Sequence, residues 1–211
     1  MLQPLSQIEA RILGVLIEKA KTTPDAYPLT VNSLTAGCNQ KTSREPVMSI
    51  SESEVQGALE DLRSRTLIME SYGASGRVLR YAHNFSKVYD VPAASVDLLA
   101  ILMLRGPQTA SELRANCERL HRFADASSVE AFLEELAARD SGAMVLKLPR
   151  QPGAREQRWT HLLCGMPTVE SINLGFPAKT SAMASDLETR VERLEQEVAE
   201  LRAALARQAE E

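Results

Sequence analysis

The sequence predicts a mainly α fold with small β-hairpins: two tandem winged helix-turn-helix domains plus a C-terminal coiled-coil helix. Three observations predict it. Blocks of sequence recur in the same order about 78 residues apart, each copy reads as three helices followed by an extended pair, and the end of the chain carries an apolar heptad. The implied boundaries are 1–90 for the first winged-helix domain, 91–165 for the second, 166–183 for a linker and 184–211 for the coiled-coil helix.

The recurrence is explicit. Thr30, Leu34, Ala36 and Cys38 return as Thr109, Leu113, Ala115 and Cys117. Ser53, Val55, Leu59, Glu60, Leu62 and Arg65 return as Ser127, Val129, Leu133, Glu134, Leu136 and Arg139, and Arg80 and His83 as Arg158 and His161. One unit used twice, with loops of unequal length, accounts for the small changes in spacing.

Within each unit the elements follow in order. Ser6 with Glu9 three residues on is a capping box, and Ile8, Ile12, Val15 and Leu16 continue at helical spacing. Residues 94–105 are the counterpart. Second helices begin at Thr30 and Thr109, the latter boxed with Glu112. Third helices begin at Ser53 and Ser127, with Ser51 and Glu54 a competing register for the first. Extended stretches follow, 67–72 with 77–83 and 143–148 with 158–163, each pair broken by glycines. Three helices and a hairpin are the parts of a winged helix-turn-helix.

In the tail, Leu187, Val191, Leu194, Val198, Leu201 and Leu205 alternate spacings of four and three. Opposite charges fall at the flanking positions, Arg190 against Glu195 and Glu197 against Arg202, which favours a parallel homodimer through this helix. A helix folding back on its own chain is the alternative.

Composition narrows the function classes. No run approaches the ~18 apolar residues of a membrane span, and MLQPLSQIEA lacks the basic start and apolar stretch of a signal peptide. Cys38, Cys117 and Cys164 are far apart and unpaired in pattern, as expected of reduced thiols in the cytoplasm. The net charge of −4 is unevenly held: residues 1–90 and 91–165 are each balanced, and the acidic excess lies in 166–211. A neutral body neither demands nor forbids a polyanionic partner.

The run CNQKTSREPVMSISESEVQGALEDL, with LSQIEARILGVLIEKAKTTPDAYPLTVNSL before it, resembles the YceH family of uncharacterised bacterial proteins. The likeness covers about residues 1–165, and NQKTSREPV is its most specific motif. The resemblance implies a pair of winged-helix domains in a cytosolic bacterial protein, and brings no activity, ligand or catalytic residue.

In a winged helix that reads DNA, the third helix enters the major groove while the preceding turn and the wing touch phosphates. The candidate DNA-binding residues are therefore Lys41 and Arg44 in the turn, Gln56 and Arg63 on the helix, and Arg77 and Arg80 in the wing. Four phosphate contacts from Lys41, Arg44, Arg77 and Arg80 would give a salt slope of about −3.6. Glu52 and Glu60 on the first third helix, and Glu130, Glu134 and Glu135 on the second, oppose phosphate and suit a protein partner instead. Duplex DNA and a protein are thus both open as partners. The His and Cys residues form no zinc-ligand spacing, and neither a phosphate-binding Gly-rich loop nor a nucleophile elbow occurs. No metal, cofactor or catalytic residue is expected.

Overall fold

The computed structural model describes residues 3–72, 76 and 78–167, all within one compact unit. The heptad residues Leu187 to Leu205 and the wing cation Arg77 lie outside the described residues. The chain is mainly helical with two small antiparallel strand pairs, laid out as two repeats. The first holds α1 (Gln7–Thr22), α2 (Val31–Cys38), α3 (Glu52–Ser64), β1 (Ile68–Tyr72) and β2 (Leu79–His83). After a short helix, α4 (Phe85–Tyr89), the second holds α5 (Ala93–Arg105), α6 (Ala110–Cys117), α7 (Ala126–Ala137), β3 (Val145–Lys147) and β4 (Trp159–His161).

Helix starts follow side-chain oxygens that can satisfy the orphan N–H groups of a first turn. Ser6 and Glu9 form the reciprocal box of α1, Thr30 caps α2, and Thr109 with Glu112 boxes α6. The third helices are capped two residues before Ser53 and Ser127. Ser51 caps α3 in a box with Glu54, and Asp125 caps α7 in a box with Ser128. Of the two registers open at α3, the one with a reciprocal carboxylate prevails, because Glu54 also accepts from the Ser51 N–H at 2.8 Å. Asp125 does the same work one repeat later, and it is absent from the pattern of matched residues.

The strand pairs are short and regular in register. Ile68 faces His83 and Tyr72 faces Leu79 across the first; Val145 faces His161 and Lys147 faces Trp159 across the second. In each repeat the residue ahead of the second helix adds an isolated bridge to the hairpin, Leu29 to Tyr81 and Gln108 to Trp159. An arginine braces the same junction twice: Arg80 Nη1 donates to the Pro28 carbonyl at 2.9 Å, and Arg158 Nη1 to that of Pro107 at 2.7 Å. The recurrence seen in the residues is thus a recurrence of hydrogen bonds.

The two first helices are buried nearly all round. In α1 every residue from Glu9 to Ile17 is buried, and in α5 every residue from Ala94 to Leu104. A one-sided stripe would suffice for a helix covering one core; burial on all faces follows because α1 and α5 also pack on each other. Gly14 permits that approach, since a Cβ there would stand 2.9 Å from the Leu104 side chain. Gly37 does the same for α1 and α2, where a Cβ would meet Val15 Cγ1 at 2.7 Å. The aliphatic core of one repeat runs without a break into that of the other.

Candidate macromolecular interface

The polar segment between α2 and α3 is where charge and structure meet first. Its ends are tied by Asn39, whose side chain donates to the Ile50 carbonyl at 2.7 Å and accepts from the Ile50 N–H at 2.8 Å. Its middle is tied to the second repeat. The Glu45 N–H donates to the Leu104 carbonyl at 2.8 Å, and Arg105 Nη2 to Ser43 Oγ at 2.7 Å. The five residues by which this turn exceeds its counterpart therefore belong to a staple between repeats.

Arg44 must be removed from the DNA-binding candidates. It is 4 % exposed, and its guanidinium lies against the Glu18 carboxylate in a two-pronged pair, at 2.6 and 3.2 Å. Its Nε donates to the Gly37 carbonyl at 3.1 Å. Beside it Arg11, 1 % exposed, donates to the carbonyls of Cys38 and Pro46 at 3.1 and 2.7 Å. Two buried guanidinium groups thus satisfy the last carbonyls of α2, where the helix dipole is negative. Burial, and then the neighbouring Arg44, lowers the Arg11 guanidinium from its ordinary value. Sequence reasoning overlooked Arg11, which sits in an apolar run; its one signal is being the sole cation on the first three turns of α1.

The other candidates separate into two kinds. Lys41, Gln56 and Arg63 are exposed, on the turn and on the open flank of α3. Arg63 reaches Glu70 of β1 at 3.3 Å while its side chain remains 60 % exposed. Arg80 is half-buried on its brace to Pro28. Around the exposed three, α3 presents Glu52, Glu54, Glu60 and Asp61. Large apolar side chains are exposed on either side of the helix in sequence: Val47 before it, then Met69, Tyr72 and Val78 in and beside the strand pair.

The second repeat places Glu130, Glu134 and Glu135 on α7, with no lysine or arginine in that helix. Glu130 is drawn onto the hairpin, accepting from Trp159 Nε1 at 3.2 Å and pairing with Lys147, whose ammonium lies 5.2 Å from the Trp159 ring centre. Glu134 and Glu135 face solvent.

Cys38 and Cys117 occupy matched buried places, and burial pushes each thiol up to about 12. They are core residues with no thiolate at neutral pH. Among the described residues no group of three or more His, Cys, Asp or Glu side chains could hold a metal ion, and no helix is long and apolar enough to cross a membrane.

The element order and its two antiparallel strand pairs define a small, mainly helical protein with acidic third helices. The chain belongs to the family described as "Protein of unknown function, DUF480", whose model matches residues 5–154. It is 56% identical over 208 residues to a UPF0502 protein of Dechloromonas aromatica (strain RCB), covering 98% of this chain and 97% of that one. A UPF0502 protein of Acidovorax sp. (strain JS42) is 55% identical over 214 residues, 99% of this chain and 94% of its own. One of Leptothrix cholodnii is 54% identical over 217 residues, with 100% and 96% covered. The resemblance read from the sequence to an uncharacterised bacterial family stands at this level, under the DUF480 and UPF0502 names.

Proposed function

We propose that the chain is a cytoplasmic tandem winged helix-turn-helix protein that binds a protein partner bearing a basic, partly apolar segment. Contact is made by the open flank of α3 and the strand pair after it. The observation that carries this reading is the charge of that flank. Glu52 and Glu60 lie along it, and its one cation, Arg63, leans on Glu70. Glu54 and Asp61 add exposed carboxylates on the other edge of α3, and the turn cation that would have gripped phosphate is buried on Glu18. Such a surface repels a phosphate backbone and attracts lysine and arginine. Met69, Tyr72 and Val78 supply exposed apolar area for the same contact. The heptad from Leu187 to Leu205 pairs two protomers in this reading, and no catalysis is assigned.

Selection of peptides from a random display library tests it. Enriched peptides should carry Lys or Arg beside an apolar residue. The paired change Glu60→Lys with Asp61→Lys should weaken them by tenfold or more. Enriched peptides indifferent to that reversal would overturn the reading. Duplex DNA is the second reading, favoured by Lys41, Gln56 and Arg63 all being exposed around α3. With Arg44 buried, Lys41, Arg77 and Arg80 leave about three phosphate contacts, hence a salt slope near −2.7 where four contacts would give −3.6. Titration with random duplex at ~50 and ~200 mM salt separates the readings: binding at ~50 mM that weakens with this slope supports DNA.

A further inference from the structure

We propose that a cleft between the two repeats binds a small phosphate-bearing anion, in a site separate from the α3 face. The cleft has a volume of about 140 Å³ and is walled by the end of α1 and the α2–α3 segment on one side, and by α5, α6 and the residues after α6 on the other. Its charged lining is Glu18, Lys19, Arg105 and Arg119.

The single carboxylate is already spent. Both oxygens of Glu18 accept from Arg44, which is behind the wall, and Lys19 lies 3.7 Å from the same group. Arg105 and Arg119 have no carboxylate partner among the described residues. Arg105 is half-buried and uses one donor on Ser43 Oγ, leaving the rest of its fork to the cleft. Burial lowers its guanidinium from the ordinary value, Glu18 offsetting part of that effect and Arg44 adding to it. A planar fork matches the paired oxygens of a phosphate better than it matches a halide. The volume falls below the roughly 300 Å³ at which pockets for drug-sized ligands begin, so the occupant is a phosphate ion or one phosphate group of a small metabolite.

Because the walls come from both repeats, a bound anion would bridge them alongside the Arg105–Ser43 bond. The site is thus placed to act as an effector site on the junction that holds the two units together.

The experiment is isothermal titration of the full chain with inorganic phosphate, and separately with glycerol phosphate, at constant ionic strength set by chloride. Saturable one-to-one binding is expected for at least one of them below about 10 mM. A charge-assisted hydrogen bond contributes about 1.5–3 kcal/mol, so Arg105→Gln and Arg119→Gln should each weaken it about tenfold or more. Tighter binding of the monoester assigns the site to a metabolite's phosphate group, and equal binding assigns it to the free ion. Absence of saturable heat for both ligands to 10 mM, or affinity unchanged in Arg119→Gln, overturns the proposal. Arg119 is exposed and unbraced, so that variant decides the matter even if Arg105→Gln disturbs folding.

Discussion

Replacing Arg44 by methionine tests the central structural claim, that the polar turn between α2 and α3 is an internal strut. The substitution keeps an unbranched side chain of similar reach and removes the charge. It leaves Glu18, whose side chain is 15 % exposed, without its two-pronged partner and the Gly37 carbonyl without its donor. Breaking a buried ion pair from one side costs roughly 3–5 kcal/mol. The residual exposure of Glu18 and the nearness of Lys19 put the expectation at the lower end, about 3 kcal/mol. At ~2–4 °C per kcal/mol for a unit of this size, the melting temperature should fall by roughly 6–12 °C. The measurements are thermal and urea unfolding followed by circular dichroism, with Lys41→Met as the control for an exposed cation, expected within about 0.5 kcal/mol of the parent. Adding Glu18→Met to Arg44→Met should recover most of the loss, since an apolar pair in place of a buried ion pair is close to neutral. An Arg44→Met protein as stable as Lys41→Met would refute the reasoning.

Three further outcomes are expected. Gly37→Ala should destabilise by about 1–2 kcal/mol, because the added Cβ meets a β-branched Val15 that cannot turn aside, whereas exposed Gly57→Ala, with nothing within 4 Å, should stabilise by roughly 0.5–1 kcal/mol in the same unfolding assay. Asp125→Ala should cost about 1 kcal/mol of unfolding free energy and Ser127→Ala much less, since Asp125 is the residue that caps α7. Burial holds the His161 imidazole down to about 4 from 6.5, so the unfolded chain takes up the proton first. Stability should therefore be full above pH 6.5 and decline as pH falls towards 4, and His161→Phe should flatten that part of a melting-temperature profile.

Much of the fold is legible in the residues themselves. Ser6 with Glu9 and Thr109 with Glu112 announce helix starts because a cap is a contact over three residues. The matched blocks, Thr30 to Cys38 against Thr109 to Cys117, announce the repeat because each copy must rebuild the same junction between second helix and hairpin. The α7 cap lies two residues ahead of Ser127 for the complementary reason: Asp125 has no identical counterpart in the first repeat, where Ser51 does its work. Candidate sites were far less legible. Lys41 and Arg44 stand three apart in one polar turn and look alike in sequence, yet one is exposed and the other is buried.

Sequence by itself pointed to the three main helices of each unit, to where most of them begin and to one unit used twice, since these depend on neighbours a few residues away; the short α4 it did not show. Tertiary structure decided what the charges do. Arg44 is buried because Glu18 comes to it from 26 positions earlier and the α2 carbonyls end beside it. Arg105 faces a shared cleft because α1 and α5 pack on each other. A side chain's charge is written in the chain, but whether it meets solvent, a carboxylate or a ligand depends on surfaces that exist only once the two repeats have closed together.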